Sequence, residues 1–388
     1  MKTFLRVSSL LLSLAMVAAV PRHVLTGDYW GGYAGTHNVP PDQAARWLSW
    51  AEVSPQDSAI LAPLGIRTLL YTDPNREQPG DPMWSTQEAV FAHNCGGGRV
   101  RAGSNYAGQV LTDVHSPALQ AAWKQSVARH MEGARYNAVF DDDAVGALYA
   151  ADQPCNYNFD EWLSAHSRLI QGLGMPVIYN GLSDFYNRGV AREISLNRSA
   201  AGGMMEECYA QFKPDHRVGG WQWYTTEYTE LRMAQEHKIF ICYGRDLTPA
   251  DQAYDGRIYT YASFLLTYDP KTTVLWEYYK TPTGGHVMPE SQLVALDPVK
   301  QVKRVAQLRE NEGVYLRQYR KCYFGGRSVG PCVAAVNPDE DTHRLRLPGF
   351  KRTLQLNGSG VFDGGSANIA NVAPPSSLAP GGAVIAFK

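Results

Sequence analysis

The chain has 388 residues, 44% of them hydrophobic, enough to fill the core of one large domain and a small one. Basic and acidic residues nearly balance, 36 against 37, with no long run of either sign, which argues against a polyanionic partner such as nucleic acid. The 22 tyrosines and 9 tryptophans supply flat apolar surfaces with a polar edge, suited to core packing and to small or neutral ligands.

The N-terminus reads as a secretory signal peptide over residues 1–19. Lys2 and Arg6 form its charged region, 10–20 its apolar core, and the small residues at 17–19 a cleavage site near Ala19. The expected location is secreted or periplasmic. No other stretch approaches the ~18 uninterrupted apolar residues of a membrane span.

Six cysteines in an oxidising compartment form disulfides, with about fifteen possible connectivities. Cys322 and Cys332 flank a Gly-rich turn, Cys208 and Cys242 lie near strand ends, and a Cys95–Cys155 bridge would tie two long loops together. No Cys-x-x-Cys or His-x-x-x-His spacing supports a metal site.

In chain order, β-rich apolar runs alternate with helical segments. The runs are 24–30, 66–71, 109–113, 137–142, 176–180, 203–206, 238–243 and 273–276. Helical spacing is read at 41–50, where Ala44, Trp47 and Leu48 share a face, at 117–131 behind an entry proline, and at 159–173 ahead of Gly174. Eight such units suit an α/β fold of the (β/α)8 TIM barrel type, whose usual length is ~250 residues. A doubly wound open sheet is the alternative, but no Gly-x-Gly-x-x-Gly follows the first run. Past Arg309 short strands separated by Gly, Asn, Asp and Pro turns predict a small C-terminal all-β, sandwich-like domain. The expected division is a barrel over 20–312 and a β domain over 313–388.

Barrels of this type carry function at the C-terminal ends of their strands. Here those ends hold Asp28, Asp73, Asp113, the triplet Asp141, Asp142 and Asp143, Asn180, Glu206 with Glu207, Asp246 and Glu277. A lone acid at such a position commonly caps the next helix. Alternation along a strand narrows the clusters: Asp142 shares a face with Phe140, and Glu206 shares one with Met204.

At this point the residues resemble a family. Tyr136-Asn137-Ala138-Val139-Phe140-Asp141-Asp142-Asp143 resembles the fourth-strand signature of barrel glycoside hydrolases, and Gly202-Gly203-Met204-Met205-Glu206-Glu207 their sixth-strand signature ending in Glu. The match is to hypothetical glycosyl hydrolase family 15 and related barrel hydrolases, and more distantly to α-galactosidases and dextranases. The resemblance implies a glycoside hydrolase cleaving an oligo- or polysaccharide, with Asp142 as nucleophile, Glu206 as acid/base and retention of configuration. Asn137 and Ala138 replace the usual Asp-Gly, and Asp141 stands where an apolar residue is common. Asp141 therefore remains an alternative to Asp142, and Glu207 to Glu206.

Glycosidic cleavage needs two carboxylates because its transition state is oxocarbenium-like: one carboxylate stabilises or attacks C1, and the other protonates the leaving oxygen. Around them Tyr29, Trp30, Tyr243 and Trp276 are candidates to stack on sugar rings, and Asp28, Asn180, Asp246 and Glu277 to bond hydroxyls. Trp221, Trp223 and Tyr224 read as a loop after the sixth run, forming a subsite wall or a packed lid. The sequons at Asn197 and Asn357 are glycosylation candidates. The expected partner is carbohydrate, with no cofactor and no metal. Two other readings are a non-catalytic carbohydrate-binding barrel and a metal-dependent hydrolase or deacetylase using the Asp triplet with His115, His130 or His286.

Overall fold

The computed structural model describes residues 20–27, 41–77, 87–103, 108–144, 150, 152–182, 199–210, 217–245, 254–278, 287–310, 313–361 and 364–388. The expected signal peptide and the candidates Asp28, Tyr29, Trp30, Asp246, Asn197 and His286 lie outside them.

Eight parallel strands close into a barrel: β1 (Val24–Gly27), β2 (Leu48–Glu52), β3 (Arg67–Thr72), β4 (Ala138–Asp141), β5 (Val177–Asn180), β6 (Gly202–Glu206), β7 (Ile239–Arg245) and β8 (Thr273–Tyr278). Outside pack α1 (Pro55–Leu61), α2 (Pro117–Met131), α3 (Phe159–Leu173), α4 (Gly220–Gln235) and α5 (Tyr254–Thr267). Local chemistry sets the helix ends. Ser116 caps α2 ahead of Pro117, Asn158 Oδ1 accepts from Asp160 N at 3.0 Å and Glu161 N at 3.2 Å at the start of α3, and Gly174 ends α3 at φ 74°.

Two strands differ from the expectation. Residues 41–50 do not form one helix: Pro41–Ala44 is a single turn, and β2 begins at Leu48. Every residue of β2 is buried, so its polarity does not alternate and the strand was hidden behind an apparent helical stripe. The run at 109–113 is not a barrel strand; Val110–Leu111 pairs with Arg76–Glu77 in a two-stranded ribbon above β3. Trp221, Trp223 and Tyr224 also lie on α4 and not in a loop; Trp223 is fully buried, with Nε1 donating to Ser263 Oγ at 2.9 Å.

Inside the barrel, strand pairing and alternation stack side chains in layers drawn from alternate strands. Trp50, Ala138 and Val274 form the bottom layer with Gly202, where an added Cβ would lie 2.2 Å from Ile239 O. Leu69, Ile178 and Ile241 fill the next, then Glu52, Phe140, Met204 and Trp276. Tyr71, Asn180 and Tyr243 follow, and Asp142 and Glu206 stand on top.

The C-terminal domain is a six-stranded antiparallel sheet in the order β9 (Leu293–Pro298), β10 (Tyr315–Phe324), β11 (Arg327–Asn337), β14 (Gly382–Phe387), β12 (Arg352–Asn357), β13 (Ser366–Ala370), with a short ribbon of His343–Arg344 and Ser377–Leu378. Its first strand precedes the boundary expected at 313, because β9 pairs with β10 and not with the barrel. The sheet seats on α5: Arg317 Nη1 donates to Leu266 O at 3.0 Å and Tyr268 O at 3.2 Å, and Tyr319 OH donates to Leu265 O.

Three disulfides join Cys95–Cys155, Cys208–Cys242 and Cys322–Cys332, the three pairs singled out from the sequence. Among the described residues no helix is long and apolar enough to cross a membrane.

Candidate active site

The three consecutive aspartates at the end of β4 have three different fates, set by the pleat. Asp141 points outward and is fully buried; His166 Nε2 lies 2.7 Å from its Oδ2, and Asn75 Nδ2 donates to its Oδ1 at 2.9 Å. Asp143 adopts φ 51° and pairs with Arg76, which also holds Asp73 at 3.2 Å. Asp142 continues the inward face of Phe140 and crowns the barrel. It accepts from Tyr71 OH at 2.8 Å, Asn180 Nδ2 at 2.8 Å and Asp143 N at 2.9 Å. Three donors and no acceptor surround it, the set that suits an ionised, acceptor-only carboxylate.

Glu206 stands at the same height two strands along, above Met204. The Nδ2 that bonds Asp142 also reaches Glu206 Oε1, at 3.2 Å. The two carboxylate oxygens sharing that nitrogen are therefore no more than about 6 Å apart, close to the ~5 to 5.5 Å of retaining glycosidases and short of the ~6.5 to 9.5 Å of inverting ones. Glu207, at φ 53°, begins the turn after β6.

The remaining candidates divide. Asn180 lies between the two acids. Tyr243 sits one layer below them and Trp276 a layer lower still, 3% and 2% exposed, with ring centroids 5.2 Å apart and Trp276 5.5 Å from Phe140. Their rings form the floor of the mouth and offer no open face to stack on a sugar. Glu277 faces the opposite way from Trp276: it accepts from Met288 N at 2.6 Å and from Ser291 Oγ, tying β8 to the segment that leads into β9. Burial, the nearby Glu290 and loss of water push it up to about 8. It is a buried structural acid, not a ligand for hydroxyls.

Sequence reasoning missed Tyr71 and Glu52. Tyr71 follows Leu69 on the inward face of β3, and its alternation was readable. Glu52 is 1% exposed in the layer beneath, and it was lost with β2 itself. Asp73 is held by Arg76 and Asn75 N, and burial raises it to about 7. Of the histidines, His115 Nδ1 lies 3.0 Å from Asp113 and His130 Nδ1 2.8 Å from Ser126 O.

A closed parallel barrel whose mouth carries two buried-edge carboxylates joined by one amide defines a barrel glycoside hydrolase. The profile of hypothetical glycosyl hydrolase family 15 matches residues 71–322, and the chain belongs to that family. No curated protein matches it in sequence. Among solved structures, Eubacterium rectale Amy13B aligns with a TM-score of 0.51 at 8% identity, covering 95% of this chain and 97% of that one. An Anoxybacillus alpha-amylase gives 0.46 at 9%, over 94% and 97% of the two chains. Aspergillus fumigatus Ega3, solved with galactosamine, gives 0.43 at 8%, over 66% and 90%. At these identities the likeness is one of fold, and the first of the three carries it.

Proposed function

We propose that the protein is an exported, retaining glycosidase that cleaves O-glycosidic bonds of an oligo- or polysaccharide, with Asp142 as nucleophile and Glu206 as acid/base. The observation that supports this reading best is the shared Asn180 amide, which holds the two carboxylates at the short separation that retention requires.

In the first step Glu206 protonates the glycosidic oxygen while Asp142 attacks C1, forming a glycosyl ester and releasing the leaving sugar. Glu206, now ionised, takes a proton from water, which attacks C1 and frees Asp142 with the starting configuration. Tyr71 and Asn180 aim Asp142 at C1 and hold it there without a rotamer search, the kind of orientation that makes a bound pair reactive. The three disulfides and the charged, then apolar N-terminal segment support export.

The test is turnover of a glycan panel by the wild type and by Asp142→Asn and Glu206→Gln. Each variant should lose ~10²-fold to 10⁴-fold in kcat. Azide should rescue Asp142→Ala with formation of an inverted glycosyl azide, and the wild-type product should emerge with its anomeric configuration kept. Wild-type rates in both carboxamide variants would remove the assignment.

A further inference from the structure

Beside the barrel mouth the loops after β3 and β4 enclose a second cavity, of about 250 Å³, whose lining includes Asp113, His115, Asn156, Tyr157, Glu161 and Trp162. Its height follows from α3. His166 on that helix contacts Asp141, and Trp162 lies one turn earlier, ~6 Å further toward the C-terminal side of the strands. The cavity thus opens on the same face as Asp142 and Glu206, outside β4. Its walls are fixed: Cys155 is bonded to Cys95, and Cys155 N donates to His93 O at 2.8 Å.

The chemistry of the lining is selective. Trp162 forms an apolar wall braced by Tyr157 at 5.7 Å and by the edge of His115 at 5.3 Å. The Tyr157 hydroxyl is buried and has no hydrogen-bond partner, a cost of about 1–3 kcal/mol that an occupant able to accept its proton would relieve. Asp113, whose side chain is 35% exposed, and Glu161 supply acceptors for hydroxyls. Asn156 adds an amide. No lysine or arginine lines the cavity, so an anion is disfavoured. The volume falls below the ~300 to 1,000 Å³ of sites for drug-sized molecules and suits one ring.

We infer that this cavity is a remote subsite that binds one neutral sugar ring of the glycan cut at the mouth, with Tyr157 OH donating to a ring hydroxyl and Asp113 and Glu161 accepting from others. The inference rests on the glycosidase reading for its role, and its binding can be tested apart from it.

The test uses the full chain. Tyr157→Phe removes a hydroxyl that has no partner, so it should fold with undiminished stability, and Glu161→Gln changes an exposed side chain. Binding of hexasaccharides of glucose, galactose and mannose is measured by calorimetry on the Asp142→Asn, Glu206→Gln protein with and without the two cavity changes. At least one hexasaccharide should bind about tenfold more weakly when they are added, the worth of one or two hydrogen bonds. In the otherwise wild-type enzyme the same two changes should raise KM for that hexasaccharide with kcat kept, and leave turnover of a short aryl glycoside unaltered. Unchanged binding of all three, or no binding at all, overturns the subsite. If the cavity binds sugar but the wild type cleaves nothing on the panel, the hydrolase assignment fails and the subsite stands. Cleavage with cavity variants indistinguishable from wild type gives the reverse.

Discussion

Asn180 Nδ2 lies 2.8 Å from Asp142 Oδ1, and the same nitrogen lies 3.2 Å from Glu206. One amide on β5 thus sets the spacing of acids on β4 and β6. Asn180→Ala should leave the fold intact and lower kcat ~10-fold to 100-fold, the worth of a hydrogen bond to a charged group, with a smaller change in KM. Asn180→Asp should cost more, because it places a third carboxylate against the other two. Steady-state kinetics on an aryl glycoside decide this; an alanine variant with wild-type kcat would show that the amide is not a positioning group.

His166 and Asp141 are both fully buried and 2.7 Å apart, and the remaining His166 nitrogen, Nδ1, meets no partner. The tautomer that satisfies the pair carries its proton on Nε2. His166→Ala leaves Asp141 with Asn75 alone and should cost about 3 kcal/mol or more in stability. It should also slow turnover, since Asn75 Nδ2 donates to Asp142 O at 2.6 Å and so links this pair to the backbone of the proposed nucleophile. Denaturant unfolding measures the first effect. A loss below about 1 kcal/mol would mean that water replaces the imidazole.

Much of the barrel was legible because its strands are short and separated by strong turn signals, and because a period of two carries Phe140 to Asp142 and Met204 to Glu206 without structural help. The same rule, applied one residue further along β8, separates Trp276 from Glu277 and would have turned Glu277 away from the mouth. What failed was β2. Its five residues are buried on both faces, so polarity does not mark its pleat, and a proline-led helical turn precedes it. Glu52 was lost with it. The shared contact of Asn180 was also out of reach, since it depends on the barrel's stagger and not on spacing along the chain.

Cys208 sits two residues beyond Glu206 and is bonded to Cys242 on β7, closing a segment that contains α4. The bridge therefore restrains the turn that carries the proposed acid/base. Replacing both cysteines by alanine should cost about 4 kcal/mol by the chain-entropy relation for a loop of this length. The distinguishing result is kinetic: this pair should lower kcat, while removing Cys322–Cys332, far off in the C-terminal sheet, should lower stability alone. Equal effects of the two on kcat would contradict that placement.

Stability should fall between pH 6.5 and 8. Burial pushes Glu230 up to about 8, against a hydrogen bond from Tyr209 OH at 2.8 Å and the nearby Arg317. Burial likewise takes Glu277 to about 8 and Asp73 to about 7. In this window these acids hold protons in the native protein and are ionised in the unfolded chain. The native state therefore binds more protons, and each group removes up to about 1.4 kcal/mol of stability per pH unit until its native value is passed. His23 acts in the opposite sense but lower down: burial holds it to about 3, so its contribution is lost as pH falls below its ordinary value of 6.5. Above 6.5 the carboxyl groups act alone among these. Urea midpoints at pH 6.5 and 8 should show the decline, and Glu230→Gln, which stays neutral, should reduce it. A midpoint that rises across the window would contradict the buried, protonated state of these acids.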